Sequence, residues 1–361
     1  MNPLFRPFQI PNLNLKNRIV MAPMTRSKSP GGVPGEDVAA YYRRRAEGGV
    51  GLIITEGTYP PHESSGFDSN VPHFYGDEAL AGWKRVADEV HAAGGRIFPQ
   101  LWHVGLVYRS ETVPPNGVGP SGINSSGQKV TEPMTQQQID EIVAAYGKAA
   151  ESAKRLGFDG VEIHGAHGYL LDQFFWDRTN LRTDRYGGDL AARTRFAVEA
   201  ITEVRKRVGP DFPVFLRFSQ WKIGDYEARL AHTPQELERF LAPLSAAGVD
   251  VFHCSTRRYW VPEFEGSSLN LAGWTKKITG KPTVTVGSVT LNQEFTNSFA
   301  TSDTAGVSGI DDLLDRLGRK EFDLVAIGRA LITNPSWAAQ IERGAFNELR
   351  PFQRDVLAQL F

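Results

Sequence analysis

What most restricts the fold of this chain is a repeated alternation between Arg18 and Ile327: eight short β-type runs, separated by amphipathic helical stretches. The runs are Arg18–Met21, Gly51–Thr55, Arg96–Leu101, Gly160–His164, Val214–Phe218, Val251–Ser255, Thr283–Val286 and Leu324–Ile327. They are apolar and β-branched without strict polar alternation, which suits strands of a parallel sheet covered on its outer face. Helical spacing marks Asp37–Glu47, Glu78–Ala93, Gln136–Leu156, Leu190–Val208, Pro234–Ala247, Leu269–Ile278, Ile310–Leu317 and Ser336–Arg343. In the second of these, Leu80, Trp83, Val86, Val90 and Ala93 recur every three or four residues. Thr135, with Gln138 three residues on, reads as the capping box of the third. Glycine ends several, as in Ala93-Gly94-Gly95 and Leu156-Gly157. The connections are too short to begin a second domain, so the pattern predicts one α/β domain over residues 1–361, a closed (β/α)8 TIM barrel. A doubly wound sheet would carry a glycine-rich dinucleotide turn after its first strand, and Met21-Ala22-Pro23-Met24-Thr25 is not one.

Two features should modify the barrel. Phe8–Ile10 and Leu13–Leu15 flank Pro11-Asn12 and predict a hairpin that plugs the N-terminal mouth. The connections Trp102–Pro133 and Gly165–Asp189, after the third and fourth strands, are unusually long. Loops of that size on the C-terminal face of a barrel tend to be lids or binding segments.

Composition narrows the functional classes. Forty Lys+Arg balance 41 Asp+Glu, which argues against nucleic acid, because phosphate binding calls for a basic excess. Apolar runs such as Val50-Gly51-Leu52-Ile53-Ile54 fall far short of the roughly 20 residues that span a bilayer. The start, MNPLFRPFQI, lacks the apolar core of a signal peptide. One cysteine, Cys254, leaves no intrachain disulfide and no multi-cysteine metal site. The expectation is a cytoplasmic enzyme with small-molecule partners, compatible with a monomer or a homo-oligomer.

Polar or special residues gather at the C-terminal ends of the strands: Thr25, Gly57, Gln100, His164 with His167 and Tyr169, Arg217, Gly287-Ser288 and Gly328-Arg329. Converging on one rim, they outline a large polar site. Glycines, a hydroxyl and a fork-shaped cation after strands seven and eight match the usual phosphate position of such barrels. The alternative is that Gly287 and Gly328 merely turn the chain. Arg217 lies in an apolar strand, where it either pairs with a carboxylate or offers a fixed cation to an anionic ligand. His164 and His167 read as metal ligands lacking a suitable third, as core histidines, or as two donors to a carbonyl or nitro oxygen with Tyr169 as proton donor. The strand-end position favours the last.

Lys16-Asn17-Arg18-Ile19-Val20-Met21-Ala22-Pro23-Met24-Thr25-Arg26, Pro99-Gln100-Leu101-Trp102-His103, Asp159 to Leu171, Thr179 to Gly188 and Ile327-Gly328-Arg329 together resemble the motifs of the old yellow enzyme family, FMN-dependent ene-reductases. The resemblance runs from the first strand to about Pro335. It implies tightly bound, non-covalent FMN, reduced by NADPH or NADH. It also implies flavin contacts from Pro23, Met24, Thr25, Gly57, Gln100 and Arg217, and phosphate contacts from Gly287, Ser288, Gly328 and Arg329. His164 and His167 would hold the oxygen of an activated alkene, Tyr169 would protonate its α-carbon, and Trp102 would wall the pocket. Thr25 stands where one branch of the family has cysteine, the 104–131 lid departs from the family pattern, and Ser255 to Trp260 is unusually basic and aromatic. The competing functions are a flavin-dependent amine or N-methyl dehydrogenase on the same barrel, a Schiff-base aldolase using Lys222, and a non-catalytic flavin-binding module.

Overall fold

The structure is a computed structural model describing residues 2–108, 113–294 and 304–361. The hairpin β1 (Phe8–Ile10) and β2 (Leu13–Leu15) precedes the strands β3 (Ile19–Met21), β4 (Leu52–Thr58), β5 (Arg96–Leu101), β6 (Val161–His167), β7 (Val214–Lys222), β8 (Val251–Ser255), β9 (Thr283–Val286) and β10 (Leu324–Ile327). Between β3 and β7 lie α1 (Glu36–Glu47), α2 (Asp77–Ala92), α3 (Gln136–Arg155), α4 (Leu170–Phe175) and α5 (Arg195–Val208). After β7 come α6 (Pro234–Ala246), α7 (Leu271–Thr279), α8 (Asp311–Gly318), α9 (Arg329–Thr333) and α10 (Trp337–Glu342). Strands β3 to β10 close a barrel in sequence order, β10 pairing with β3, and every pair is parallel.

The missing polar alternation has a plain cause: every residue of β4, β6, β7 and β8 is buried, because both faces of each strand are covered. Outward-facing Ile53, Ile97, Ile163, Leu216 and Phe252 join the apolar stripes of the helices, including Val86, Ile142, Ile201 and Leu241, in one outer core. Inward-facing Val20, Leu52, Phe98, Phe215, Val251, Val284 and Leu324 fill the lower barrel. The Phe98 and Phe215 rings meet edge-on at 4.8 Å there. Phe8, Leu13 and Leu15 of the hairpin belong to the same inner cluster, so the hairpin caps it as expected. The α3 capping box is present: Thr135 Oγ1 accepts from Gln138 N, and Gln138 Oε1 accepts from Thr135 N.

Several boundaries differ from the sequence expectations. Strand β4 continues to Thr58, so Gly57 lies within it rather than after it. Strands β6 and β7 continue to His167 and Lys222. The ladder register shifts between Ile54 and Gly57, and again between Gly165 and His167. Such irregularities break the period that sequence reading relies on. The expected loop Gly165–Asp189 contains the end of β6 and all of α4, whose six residues are too few to show a helical period. Helix α5 begins at Arg195, after a 3-10 turn over Ala192–Thr194, and not at Leu190. The short α9 directly after β10 went unpredicted. Residues 109–112 of the expected lid lie outside the described residues. No helix among the described residues is long and apolar enough to cross a membrane.

Candidate active site

Toward the C-terminal mouth the barrel interior turns from apolar to polar, one layer at a time. Above the Phe98–Phe215 level, Gln100 Nε2 donates to Glu162 Oε1 at 2.8 Å, and Glu162 Oε2 lies 2.7 Å from His253 Nδ1. Arg217 pairs in register with His164 on one side and His253 on the other. Its guanidinium donates to Ser255 Oγ at 3.2 Å. Arg217 Nε is buried with no hydrogen-bond partner among the described residues. The expected alternatives for Arg217 therefore divide: its hydrogen bond goes to a hydroxyl, and one cationic donor stays unsatisfied. An orphaned buried donor is costly, so this position suits an electron-rich ligand edge.

The next layer carries the histidines. His164, His167, Tyr169 and Trp102 form one aromatic cluster: His164 lies 5.1 Å from His167 and 4.9 Å from Tyr169, and Trp102 lies 5.0 Å from Tyr169, ring centre to ring centre. His164 Nδ1 accepts from Ala166 N at 3.2 Å, so its hydrogen sits on Nε2. His167 Nε2 lies 2.8 Å from Ser255 Oγ, its ring stacks on Trp221 at 4.4 Å, and its N–H donates to Ser219 Oγ at 2.9 Å. Its φ of 65° is a left-handed conformation, unusual outside glycine and common at functional sites. Burial, then the nearby Arg217 cation, hold both imidazoles well below the usual histidine range, so both are neutral donors near pH 7.

The turn that follows is anchored from below. Asp172 Oδ2 accepts from Gly168 N at 2.7 Å, and Asp172 Oδ1 accepts from Lys222 Nζ at 2.8 Å, both side chains being fully buried. Lys222 is thus sealed in an ion pair, away from the mouth where a Schiff base would form. Gly57 faces Trp102: a Cβ there would come within 2.4 Å of the indole, so this glycine lets Trp102 pack against β4. Cys254 points outward and is buried, its thiol pushed up by burial, as a packing residue would be.

Across the mouth lie the remaining site residues. Pro23 and Met24 are half-buried after β3, and Thr25 is exposed at the rim. Met24 meets the neighbouring turn after β10, its sulfur 3.6 Å from where a Cβ on Gly328 would stand. Arg26 N and Ser27 N both donate to the buried Glu56 carboxylate, at 2.8 and 2.9 Å, which pins the segment that follows Thr25. Gly287 has φ 144°, and a Cβ there would meet Thr256 O at 2.7 Å, so only glycine fits against the β8 loop. Ser288 Oγ donates to Arg257 O at 3.0 Å, and Arg329 Nη2 donates to Gln293 O at 2.5 Å. The Ser288 hydroxyl is thus tied to the loop after β8, and the Arg329 guanidinium to the loop after β9. In the basic β8 loop, Arg257 and Arg258 both pair with Glu294, and Tyr259 is buried.

Trp221, Glu56 and His253 escaped sequence reasoning as site components, and Ser255 entered it only as the start of the basic, aromatic Ser255 to Trp260 segment. Ser255 was detectable only by alternation, two residues after His253 and in phase with it across the barrel interior.

Comparison with known proteins bears on the whole arrangement. The NADH:flavin oxidoreductase / NADH oxidase family model matches residues 3–348. The NADH oxidase of Thermoanaerobacter brockii is 34% identical over 362 residues, covering 96% of this chain and 52% of that protein. The 12-oxophytodienoate reductase 7 of Oryza sativa subsp. japonica is 44% identical over 225 residues, covering 58% of this chain and 56% of that protein. The chain thus spans about half the length of these two relatives. A morphinone reductase, solved in complex with tetrahydroNAD, superposes with a TM-score of 0.81 at 29% identity, covering 98% of this chain and 93% of the other. A family match over nearly the full length, on a closed eight-stranded barrel with this site at its mouth, makes the chain a member of the NADH:flavin oxidoreductase / NADH oxidase family, the old yellow enzyme family of FMN- and nicotinamide-dependent oxidoreductases.

Proposed function

We propose that the chain is an ene-reductase that reduces activated alkenes (enones, enals, maleimides or nitroalkenes) at the expense of NADPH or NADH. The chemistry supplied by bound FMN is hydride transfer, from the nicotinamide and then to the β-carbon of the alkene. The residues present suit that group. Arg217, with its orphaned Nε, offers a buried cation to an electron-rich flavin edge. Pro23, Met24, Thr25 and Gln100 would line the ring system, and Gly287, Ser288, Gly328 and Arg329 would hold the phosphate.

The single observation that carries the reading is the pair of buried, neutral imidazoles side by side at the mouth. His164 offers Nε2–H, and the His167 ring stands beside it, ring centres 5.1 Å apart. Two such donors can grip one carbonyl or nitro oxygen and stabilise the negative charge that grows there as the β-carbon is attacked. Neutral donors add no charge of their own beside the Arg217 cation, which suits a neutral substrate. Tyr169, with its ring 4.9 Å from His164, is the acid for the α-carbon. Trp102 and Trp221, one beside each histidine, exclude water and favour flat acceptors.

Anaerobic mixing tests this reading. NADPH or NADH should bleach the FMN-loaded protein, and 2-cyclohexenone should restore its colour, whereas methylated amines should not reduce it. Reduction by amines with no response to the enone would establish the dehydrogenase alternative instead.

A further inference from the structure

His167 is held on every side. Its ring stacks on Trp221 with planes 22° apart, and Trp221 Nε1 donates to Ser255 O at 3.1 Å. Its backbone N–H donates to Ser219 Oγ, and its Nε2 meets Ser255 Oγ at 2.8 Å. A half-turn of the ring would keep the stack but swap Nε2 for a carbon, so the Ser255 contact fixes which way round the ring sits. What then decides its chemistry is which nitrogen carries the hydrogen.

Ser255 Oγ has two partners here, Arg217 Nη2 at 3.2 Å and His167 Nε2 at 2.8 Å. A guanidinium has only donors, so of the two partners only the imidazole can accept the serine proton. Ser255 therefore donates to His167 Nε2, which leaves the ring's one hydrogen on Nδ1. The contrast with His164 is instructive, because there a backbone N–H two residues away sets the tautomer, and no side chain is needed. For His167 the setting is a long-range contact, delivered from β8 and oriented by the cation on β7.

We propose that Ser255 is a positioning residue: oriented by Arg217, its hydroxyl selects the His167 tautomer that presents Nδ1–H to the oxygen of the acceptor. The inference rests on the ene-reductase reading, and deepens it by tying the acceptor-binding donor to the flavin-facing arginine through one hydroxyl. Without that hydroxyl, the single hydrogen of a neutral ring redistributes between its nitrogens. Acceptor affinity then falls although no group touching the acceptor has been removed.

The test uses the full chain, 15N-labelled at histidine and loaded with FMN. Long-range 1H–15N spectra read the tautomer of each ring, and a His167→Asn sample identifies the His167 signals. The wild type should show His167 with a bare Nε2 and a protonated Nδ1. Ser255→Ala should move hydrogen to Nε2, wholly or in part, while Ser255→Thr, which keeps the hydroxyl, should preserve the wild-type pattern. Binding of 4-hydroxybenzaldehyde, followed by the change in the flavin absorbance, should weaken about tenfold in Ser255→Ala and less than twofold in Ser255→Thr, the scale of one lost hydrogen bond. A wild-type His167 protonated on Nε2 overturns the proposal without any variant, as does a Ser255→Ala protein with unchanged tautomer and affinity. A protein that stays colourless with excess FMN counts against the oxidoreductase reading instead, and the tautomer spectrum still decides the role of Ser255.

Discussion

Replacing Lys222 by methionine removes the cation beneath the His167–Tyr169 turn while keeping its length and apolar stem. Both members of the Lys222–Asp172 pair are fully buried at 2.8 Å, and Lys222 Nζ also donates to Ser219 O at 3.3 Å. In Lys222→Met, Asp172 keeps only the Gly168 N–H, and a buried carboxylate loses its countercharge. Breaking one side of such a pair costs about 3–5 kcal/mol. For a chain of 361 residues, an unfolding entropy of about 2.1 cal/mol/K per residue gives about 0.76 kcal/mol/K. The melting temperature should therefore drop by about 4–7 °C near pH 8.

The pH dependence gives the prediction its edge. Burial already raises Asp172 to about 6, with Lys222 the main opposing influence, so loss of Lys222 raises it further. A carboxyl whose folded pKa lies above its unfolded value keeps its full stability contribution at low pH, and loses it as pH rises through the folded pKa. The deficit of Lys222→Met should thus be small at pH 5 and grow toward pH 8. Adding Asp172→Asn, which is neutral yet still accepts from Gly168 N, should abolish that growth. Calorimetry at fixed FMN concentration reads all three proteins, since bound ligand itself shifts the melting temperature. A Lys222→Met melting temperature within 1 °C of wild type at pH 8, or a deficit flat from pH 5 to 8, would refute the reasoning.

Other outcomes follow from the same structure. Tyr169→Phe should slow enone reduction by about 10²–10⁴, with flavin reduction by the nicotinamide nearly unchanged; stopped-flow traces in which both half-reactions keep wild-type rates remove Tyr169 from the mechanism. Gly57→Ala places a methyl 2.4 Å from the Trp102 ring, so it should cost about 1–3 kcal/mol in stability and weaken phenol binding, and a variant matching wild type in both measurements contradicts the packing role. Burial raises the Glu56 carboxyl to about 7, against the pull of the Ser27 and Arg26 N–H groups. Its contribution is full below the unfolded value near 4.5 and falls by up to about 3 kcal/mol as pH rises through 7. Urea midpoints of Glu56→Gln should accordingly depend less on pH between 5 and 8 than those of wild type, and equal dependence would show that Glu56 does not titrate there.

The barrel was legible because its determinants are local and repeated. Each strand is a short apolar run, each helix a stripe, and the Thr135–Gln138 cap is visible as four letters. The rim residues were legible for the same reason, since the end of a run marks the mouth. Where the period fails, so did the reading: the register shifts in β4 and β6 hid the true strand ends, and α4 is too short to declare itself. Ser255 illustrates the deeper limit. It touches Arg217 and His167, 38 and 88 positions away, and no spacing within β8 encodes that meeting. Gly57 packs against Trp102, a contact between neighbouring strands that adjacent letters cannot reveal.

The most direct measurement is the visible spectrum of the purified protein, supplied with FMN and then titrated with a phenol. A pocket in which two neutral histidines seat an oxygen against bound flavin predicts a yellow protein that retains FMN through gel filtration and gains a broad long-wavelength charge-transfer band with the phenol. That band should be lost in a His164→Ala/His167→Ala double variant that still binds FMN. Protein that emerges colourless after loading, or a band that survives loss of both histidines, would contradict the account.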